Sequence, residues 1–178
     1  MILDLAYYNE PILRQKAQDV VLFDDALQEL VDNMVETMDA NQGQGIAAPQ
    51  VFYSLRLFVV RFYNKDKNGD YYLDKTPTVF INPKLSHPSE ETCVSEEGCL
   101  SLQGVGGKVE RPKHLKVDAL DRYGKTFSMD LTSPLHARVV MHENDHLNGV
   151  RFVDRLTKKD KHKAKQALDR LKKRRKAK

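Results

Sequence analysis

Apolar residues recur at the three- and four-residue spacing of an amphipathic helix in the first quarter of the chain. Asp24 or Asp25 is placed to cap this helix, and the pattern ends near Gly43. The apolar positions on its predicted inner face are Leu27, Leu30, Val31, Met34, Val35 and Met38. We interpret them as core residues rather than as a cofactor-binding set.

A second amphipathic helix is predicted late in the chain. Ser133 is a suitable N-cap, Pro134 suits the first turn and Gly149 ends the pattern. One face of this helix carries Leu135, Val139, His142 and His146. Because the two histidines continue an apolar stripe, we expect that stripe to face the core against another element.

Short apolar or alternating runs between the two helices indicate β-strands, while residues 6–20 are expected to be irregular or partly helical. The predicted strands are residues 55–63, 71–73, 78–81 (closed by Asn82-Pro83), 115–119 and 127–131. The last two strands form a hairpin around an Asp121–Gly124 turn. This order predicts an α+β fold with mainly antiparallel short sheets packed around the second helix. One helix lies near the N-terminus and a basic helix lies at the C-terminus.

Two stretches are rich in glycine. Residues 43–50 hold two glycines and several small residues, which allow the main chain to approach another group closely. The stretch lacks the lysine of a phosphate loop, so nucleotide binding is not expected, and both a plain tight turn and a functional contact stay open. Gly104, Gly106 and Gly107 mark a second, flexible turn.

Length and composition fit a single domain, with 178 residues of which 40% are hydrophobic. The formal net charge of +4 hides an asymmetry, because residues 157–178 contain 12 lysines or arginines and only two acids. We therefore expect an acidic body, residues 1–156, and a basic tail, residues 157–178. No secretory signal, organellar address or membrane-spanning run is recognised, so a cytoplasmic location with reduced Cys93 and Cys99 is expected and no membrane contact.

The strongest chemical signal lies on the second helix. His142 and His146 are four residues apart, so both imidazoles can reach one metal ion from the same helix face. Glu143 stands beside the first histidine, where a carboxylate can contact water at the metal without being a ligand. The alternative is two hydrogen-bonded core histidines and an exposed glutamate, but the ligand spacing favours a hydrolytic metal site.

A catalytic site of this kind usually has three protein ligands. The position six residues after the second histidine is Phe152, and no glutamate follows Glu143, so the two common peptidase patterns do not supply the third ligand. Cys99 is the best upstream candidate, since a thiolate is a strong ligand for a borderline-soft metal.

Three separated stretches resemble the motifs of the peptide deformylase family, in the same order and with similar spacing, and weaker similarity runs from about residue 11 to residue 156. They are Gly43-Gln44-Gly45-Ile46-Ala47-Ala48-Pro49-Gln50, Glu97-Gly98-Cys99-Leu100-Ser101 and His142-Glu143-Asn144-Asp145-His146-Leu147-Asn148-Gly149. The resemblance implies a cytoplasmic enzyme that removes the N-formyl group from the initiator methionine of new polypeptides and releases formate. Residues 1–156 would then be the catalytic domain.

The resemblance also implies a role for each motif residue. The metal, commonly Fe²⁺ with Zn²⁺ or Ni²⁺ as substitutes, would be held by Cys99, His142 and His146. Glu143 would act as general base and then as general acid. The side chain of Gln50 and the main-chain N–H of Leu100 would hydrogen-bond the developing oxyanion.

For substrate binding, the resemblance implies that a formyl-Met peptide joins the protein as an added strand. The residues implied in this are Gly45 and Ile46, the Gly104–Gly107 turn, Gly98, Val139 and Arg111, the last with a supporting role. Two positions depart from the family pattern: Met141 replaces a usual glutamine, and Gln103 precedes Gly104 where the family usually has proline. These departures concern packing and the pocket rim, because neither residue is a ligand or the base.

Two other functions compete with deformylation. A metallo-peptidase would use the same helix to cleave internal peptide bonds, but its downstream ligand is missing. An RNA-binding protein with a structural metal rests on the basic tail alone, and a structural site more often has four protein ligands. The tail itself is expected to be either a solvated terminus or an arm for ribosomal RNA, with Ala164, Ala167, Leu168 and Leu171 at helical spacing.

Overall fold

The computed structural model describes the main chain of residues 1–176 and the side chains of residues 1–171. Its helices in chain order are α1 (Asp25–Ala40), α2 (Pro134–Leu147), α3 (Phe152–Arg155) and α4 (Lys158–Lys176). Three single turns of 3-10 helix cover Pro11–Arg14, Ala48–Val51 and Leu100–Leu102. Asp24 caps α1 by accepting a hydrogen bond from the N–H of Leu27 at 3.0 Å, which confirms the predicted start of that helix.

Within residues 1–176, nine antiparallel strands form one large sheet and two hairpins. The strands are β1 (Gly45–Ala47), β2 (Leu57–Val60), β3 (Tyr63–Lys65), β4 (Tyr71–Leu73), β5 (Thr78–Ser86), β6 (Thr92–Gly98), β7 (Gly106–Pro112), β8 (Leu115–Leu120) and β9 (Thr126–Leu131). The large sheet has the order β1-β2-β5-β8-β9, while β3 pairs with β4 and β6 with β7. The mixed α+β class with antiparallel sheet is therefore confirmed, as are the β8–β9 hairpin and the pairing of residues 71–73.

The large sheet is covered on both faces, and β2 shows why. Its four residues are all buried and alternate between two cores. Phe58 and Val60 pack with residues of α2, whereas Leu57 and Val59 pack with residues of α1. A strand buried on both faces reads as a continuous apolar run, and this run is what the sequence presents at these positions.

The fifth strand is longer than predicted. Residues 78–81 were expected to end at Asn82-Pro83, but β5 continues to Ser86. Asn82 has a positive φ of 50°, and the register against β8 shifts between Ile81 and Lys84. A bulge of this kind accommodates proline within a sheet, and the Asn82 side chain also binds both main-chain groups of Val20, at 2.9 and 2.8 Å.

The β6–β7 hairpin and the glycines near it also differ from the prediction. Only Gly104 lies in a turn, with φ of 77°, whereas Gly106 and Gly107 belong to β7. A Cβ on Gly107 would lie 2.6 Å from Cδ2 of Leu156, so this glycine allows β7 to pack closely beneath α3 and α4. The expected flexible turn is therefore mostly strand.

The C-terminal helix α4 packs on the body through a narrow apolar stripe. Ala164 is buried, and Ala167, Leu168 and Leu171 pack against the same core as Leu102, Val109 and Phe152. The division of the chain at residue 156 stays a prediction, and the part of the tail beyond residue 176 lies outside the described residues. None of the helices within residues 1–176 combines the length and apolar character that a bilayer crossing requires.

Candidate active site

Two elements bring three metal-ligating side chains together. Cys99 follows the end of β6, and His142 and His146 lie one turn apart on the inner face of α2. The ligand atoms of the three residues all lie within 4.8 Å of one another, and Cys99 Sγ is 3.3 Å from His146 Nε2. One thiolate and two imidazoles are a donor set that suits Zn²⁺ or Fe²⁺, so the residues present fit a divalent ion.

His142 is oriented by a buried carboxylate. Its Nδ1 is 2.9 Å from Oε2 of Glu97, which leaves Nε2 to face the cysteine and the second histidine. A ligating histidine commonly donates its other N–H to such a partner, because the bond fixes the tautomer and the ring. Glu97 thus ties β6 to α2 two residues before Cys99.

Glu97 is itself held by two arginines. Arg111 donates Nε–H and Nη2–H to its two oxygens at 2.6 and 2.9 Å, and Arg138 donates Nη1–H at 2.6 Å. Arg111 continues the network to Asp145 on α2 at 2.9 Å. Burial would raise the pKa of the Glu97 carboxyl, but the hydrogen bonds and charges of Arg111 and His142 outweigh it and hold that pKa well below its usual range.

Glu143 lies beside the ligand cluster in a dry environment. It is 3% exposed, and among the described residues no group hydrogen-bonds its Oε2. Burial raises the pKa of Glu143 to about 7. The glutamate is therefore not the exposed side chain of the alternative reading, and its carboxyl is poised to exchange a proton near neutral pH.

Gly45 on β1 forms the opposite wall at this point. A Cβ on Gly45 would lie 2.8 Å from Cδ and 2.9 Å from Cγ of Glu143. Real Cβ atoms do not approach other carbons this closely, so a larger residue at this position would displace the Glu143 side chain from where it now lies. The presence of glycine at position 45, in the first motif, is thus explained by its contact with Glu143, in the third motif.

Gln50 approaches the cluster from the turn that follows β1. Its Oε1 accepts a hydrogen bond from the N–H of Ala47 at 2.8 Å, which fixes the amide orientation. The Nε2 group then donates to Cys99 Sγ at 3.4 Å and to Ser101 Oγ at 3.2 Å. Leu100 lies in the short turn between these two acceptors.

A cleft of about 420 Å³ opens onto these residues. Of the predicted site residues it is lined by Gly45, Gln50, Gly98, Cys99, Leu100, Val139, His142 and Glu143. Leu135 also lines it and is 40% exposed, so the expectation that this residue is core is wrong. The strands on either side, β1 and β6, each pair with one described neighbour, which leaves each with a free edge.

Three predicted substrate-binding positions, Ile46, Arg111 and the Gly104–Gly107 turn, lie away from the cleft lining. Ile46 is fully buried in the core beneath α1, and Arg111 is 3% exposed behind Glu97. His146, a predicted metal ligand, belongs to the cluster but does not line the cleft. Gly104, Gly106 and Gly107 do not line the cleft, and the contact of this turn with the substrate stays a prediction.

Comparison with known proteins decides the family. The family model described as polypeptide deformylase matches residues 2–162. The chain belongs to the peptide deformylase family. Membership makes it a metallohydrolase that removes the N-formyl group from nascent polypeptides.

Individual peptide deformylases agree with this assignment. That of Synechocystis sp. is 42% identical over 154 residues, which cover 86% of this chain and 79% of the relative. A solved peptide deformylase of Plasmodium falciparum is 35% identical with a TM-score of 0.88, covering 98% of each chain. One of Acinetobacter baumannii with Met-Ala-Ser bound is 37% identical with a TM-score of 0.80, covering 88% of this chain and 99% of the other.

Sequence reasoning left several site residues without a role. They are Glu97, Ser101, Arg138 and Asp145. Each forms a hydrogen bond with His142, Gln50, Glu97 or Arg111. Arg138 and Asp145 carried a usable signal, because charged residues four before and three after His142 fall on the helix face that is otherwise apolar. A buried charge on such a face needs a partner.

Proposed function

We propose that this chain hydrolyses formyl-Met at the cleft, with a divalent ion held by Cys99, His142 and His146. The convergence of these three donors within 4.8 Å beside a buried glutamate carries the proposal. A divalent ion bound there supplies Lewis-acid chemistry, since it polarises a carbonyl and lowers the pKa of water. Fe²⁺ is the proposed ion, with Zn²⁺ or Ni²⁺ as substitutes, because a thiolate and two imidazoles suit all three.

Glu143 moves the proton in this proposal. Its carboxylate takes a proton from the attacking water and then delivers it to the leaving amine nitrogen. Burial raises the pKa of the Glu143 carboxyl above its ordinary value, which makes its carboxylate a stronger base for the first step. The close approach of Gly45 keeps the carboxyl in one place.

Gln50 and Leu100 stabilise the charge that develops on the formyl oxygen. The Nε2 group of Gln50 exchanges its long, weak contact with Cys99 Sγ for this oxygen and keeps its bond to Ser101. The main-chain N–H of Leu100 provides the second donor from the adjoining turn. One donor of this kind is typically worth about 3 kcal/mol in the transition state.

The substrate main chain lies as an extra strand between the free edges of β1 and β6. Gly45 and Ile46 offer their main-chain groups on one side, and Gly98 offers its own on the other. The methionine side chain lies toward Val139, which lines the cleft. Arg111 contributes from behind by holding Glu97. The A. baumannii relative, which binds a peptide that begins with methionine, supports this arrangement.

The basic helix α4 is the proposed contact with ribosomal RNA. Its apolar stripe is packed on the body, whereas Lys159, Lys161, Lys163 and Lys165 are exposed. A helix that is fixed on one side and basic on the other can bind phosphates without refolding. We place the enzyme in the cytoplasm on the same ground, because its nascent substrates emerge at ribosomes there.

Formate release from matched peptides tests the activity. Formyl-Met-Ala-Ser is expected to be hydrolysed, and acetyl-Met-Ala-Ser to react at least about 100-fold more slowly, because the acetyl methyl group crowds the space beside Gly45 and Glu143. Equal rates on the two peptides would contradict the proposal. Metal analysis of protein purified without oxygen, followed by exchange for Zn²⁺ or Ni²⁺, tests the identity of the ion.

A further inference from the structure

The main chain of residues 3–8 crosses behind the cleft without forming a helix or strand. Its N–H groups nevertheless bind three separate parts of the fold. Leu3 donates to Thr37 Oγ1 on α1 at 2.8 Å, Ala6 donates to the main-chain oxygen of Gln50 at 2.7 Å, and Tyr8 donates to the main-chain oxygen of Ser101 at 3.0 Å. We refer to residues 6–8 as the N-terminal strap.

The two turns that the strap connects are the turns that carry the proposed oxyanion donors. Gln50 is the third residue of the first turn, and Leu100 precedes Ser101 in the second. They belong to different elements and are about fifty residues apart in the sequence, so chain connectivity does not fix their spacing. Ala6 and Tyr8 are only two residues apart, so their two hydrogen bonds, together with the direct bond from Gln50 Nε2 to Ser101 Oγ, fix the distance between the turns.

A buried arginine holds the strap in place. Arg151 is 6% exposed, donates Nη1–H to the main-chain oxygen of Tyr8 at 2.8 Å, and has its guanidinium carbon 4.2 Å from the centroid of the Tyr8 ring. A desolvated cation over a ring face is a favourable contact. Arg151 follows α2 by four residues, so it links the strap to the helix that carries two metal ligands.

We propose that Tyr8 and Arg151 are positioning residues, which act through the N-terminal strap to hold the Gln50 and Leu100 donors at the separation that the transition state requires. The inference rests on the proposed roles of Gln50 and Leu100. Neither Tyr8 nor Arg151 lines the cleft, so neither contacts the substrate. Their contribution lies in pre-organisation, which is lost when donors shift by a fraction of a bond length.

The primary test is Arg151→Met, which keeps length and apolar bulk but removes the guanidinium. We expect kcat for formyl-Met-Ala-Ser to fall between about tenfold and about 100-fold, with KM changed by less than about twofold. The dissociation constant for Co²⁺ added to the metal-free protein should stay within about twofold, because no ligand is touched. Arg151→Lys, which keeps a cation and a donor, should recover part of kcat.

Arg14→Met is the matched control. Arg14 is half-exposed, and its guanidinium binds Asp154 at 2.6 and 3.0 Å, in the same turn as Arg151. It should keep kcat within about twofold. Tyr8→Leu provides a second route if Arg151→Met is poorly folded, since it removes the ring while the main-chain bonds remain available.

A double-mutant cycle with Gln50→Ala separates positioning from general destabilisation. Gln50→Ala alone should lower kcat by about 100-fold or more. If the strap acts through this donor, Arg151→Met should lower kcat by a markedly smaller factor in the Gln50→Ala background than in the wild type. The positioning role of the strap would be contradicted if Arg151→Met lowered kcat by the same factor in both backgrounds. It would also be contradicted if Arg151→Met and Tyr8→Leu left kcat unchanged, or if Arg151→Met weakened the affinity for Co²⁺. An inert Gln50→Ala would instead overturn the proposed role of Gln50.

Discussion

The ligand-bearing region around α2 and the C-terminal helix α4 are both rich in charge, but they use it in opposite ways. In the first, Glu97, Arg111 and Arg138 have side chains that are 9% exposed or less, and each has named partners at fixed distances. In α4 the charged side chains surround a narrow apolar stripe and most are exposed. Buried charges act individually, because each lost partner leaves another charge uncompensated, whereas exposed charges act as a sum.

The largest single effect is expected within the cleft, at Glu143. Glu143→Gln keeps the size of the side chain but removes the group that carries the proton, and kcat should fall by about three orders of magnitude. Metal content should be unchanged, because the residue is not a ligand in the proposed site. Formate release and metal analysis on the same sample check both statements, and loss of the metal would show that the role given to Glu143 is wrong.

The next effect concerns Cys99, the proposed ligand that does not lie on α2. Cys99→Ser should weaken metal binding and lower activity with it, since a neutral hydroxyl is a poor substitute for a thiolate. Cys93→Ser is the matched control, because Cys93 lies outside the ligand cluster, on β6. Titration of the metal-free variants with Co²⁺ measures the difference. A Cys93 variant that lost as much affinity as the Cys99 variant would contradict the assignment.

Two glutamates, Glu97 and Glu91, allow buried and exposed charges to be compared on one residue type. Glu97→Gln removes the charge that neutralises Arg111 and Arg138, and should lower the free energy of unfolding by about 3–5 kcal/mol in urea denaturation. It should also weaken metal binding by about 10–100-fold through His142. Glu91→Gln removes an exposed partner of Lys113 and should leave the urea midpoint unchanged. Similar losses in both variants would remove the distinction between the two regions.

The smallest effect on the isolated enzyme is expected from the tail. Truncation after Leu171 leaves the packed stripe of α4 intact, so hydrolysis of formyl-Met-Ala-Ser should stay within about twofold. Co-sedimentation with ribosomes should weaken, and the salt dependence should become shallower by roughly 0.7 to 0.9 in log–log slope for each phosphate contact removed. Ribosome binding that is unaffected by truncation, or that does not depend on salt, would refute the RNA contact.

The helices and the ligand cluster could be predicted because their signals are local. Helical spacing and the caps at Asp24 and Gly149 depend on neighbouring residues, and φ of 69° at Gly149 is the backbone form that such a terminator adopts. The spacing of His142 and His146 is likewise a property of one helix turn. Cys99 was predicted as the third ligand because no downstream residue could serve and because its motif resembles that of the family. The structure brings it within range of both histidines.

The parts that were missed depend on contacts between distant segments. Strand β6 was not predicted, since five of its seven residues are exposed and give it no apolar alternation against the core. The bulge at Asn82 depends on the main chain of Val20, and the salt-bridge network joins Glu97 to Arg138 across 41 residues. No local pattern reports which of 29 basic residues a given carboxylate will meet.

The contact between Gly45 and Glu143 has a consequence for inhibitor resistance. A common route to resistance is to enlarge a residue beside the bound compound, so that the compound no longer fits. At Gly45 we expect this route to be closed, because even a methyl group would displace the Glu143 carboxyl, the proposed proton carrier. A compound that binds the main chain of Gly45 would therefore contact a position where we expect any larger residue to reduce the activity of the enzyme itself.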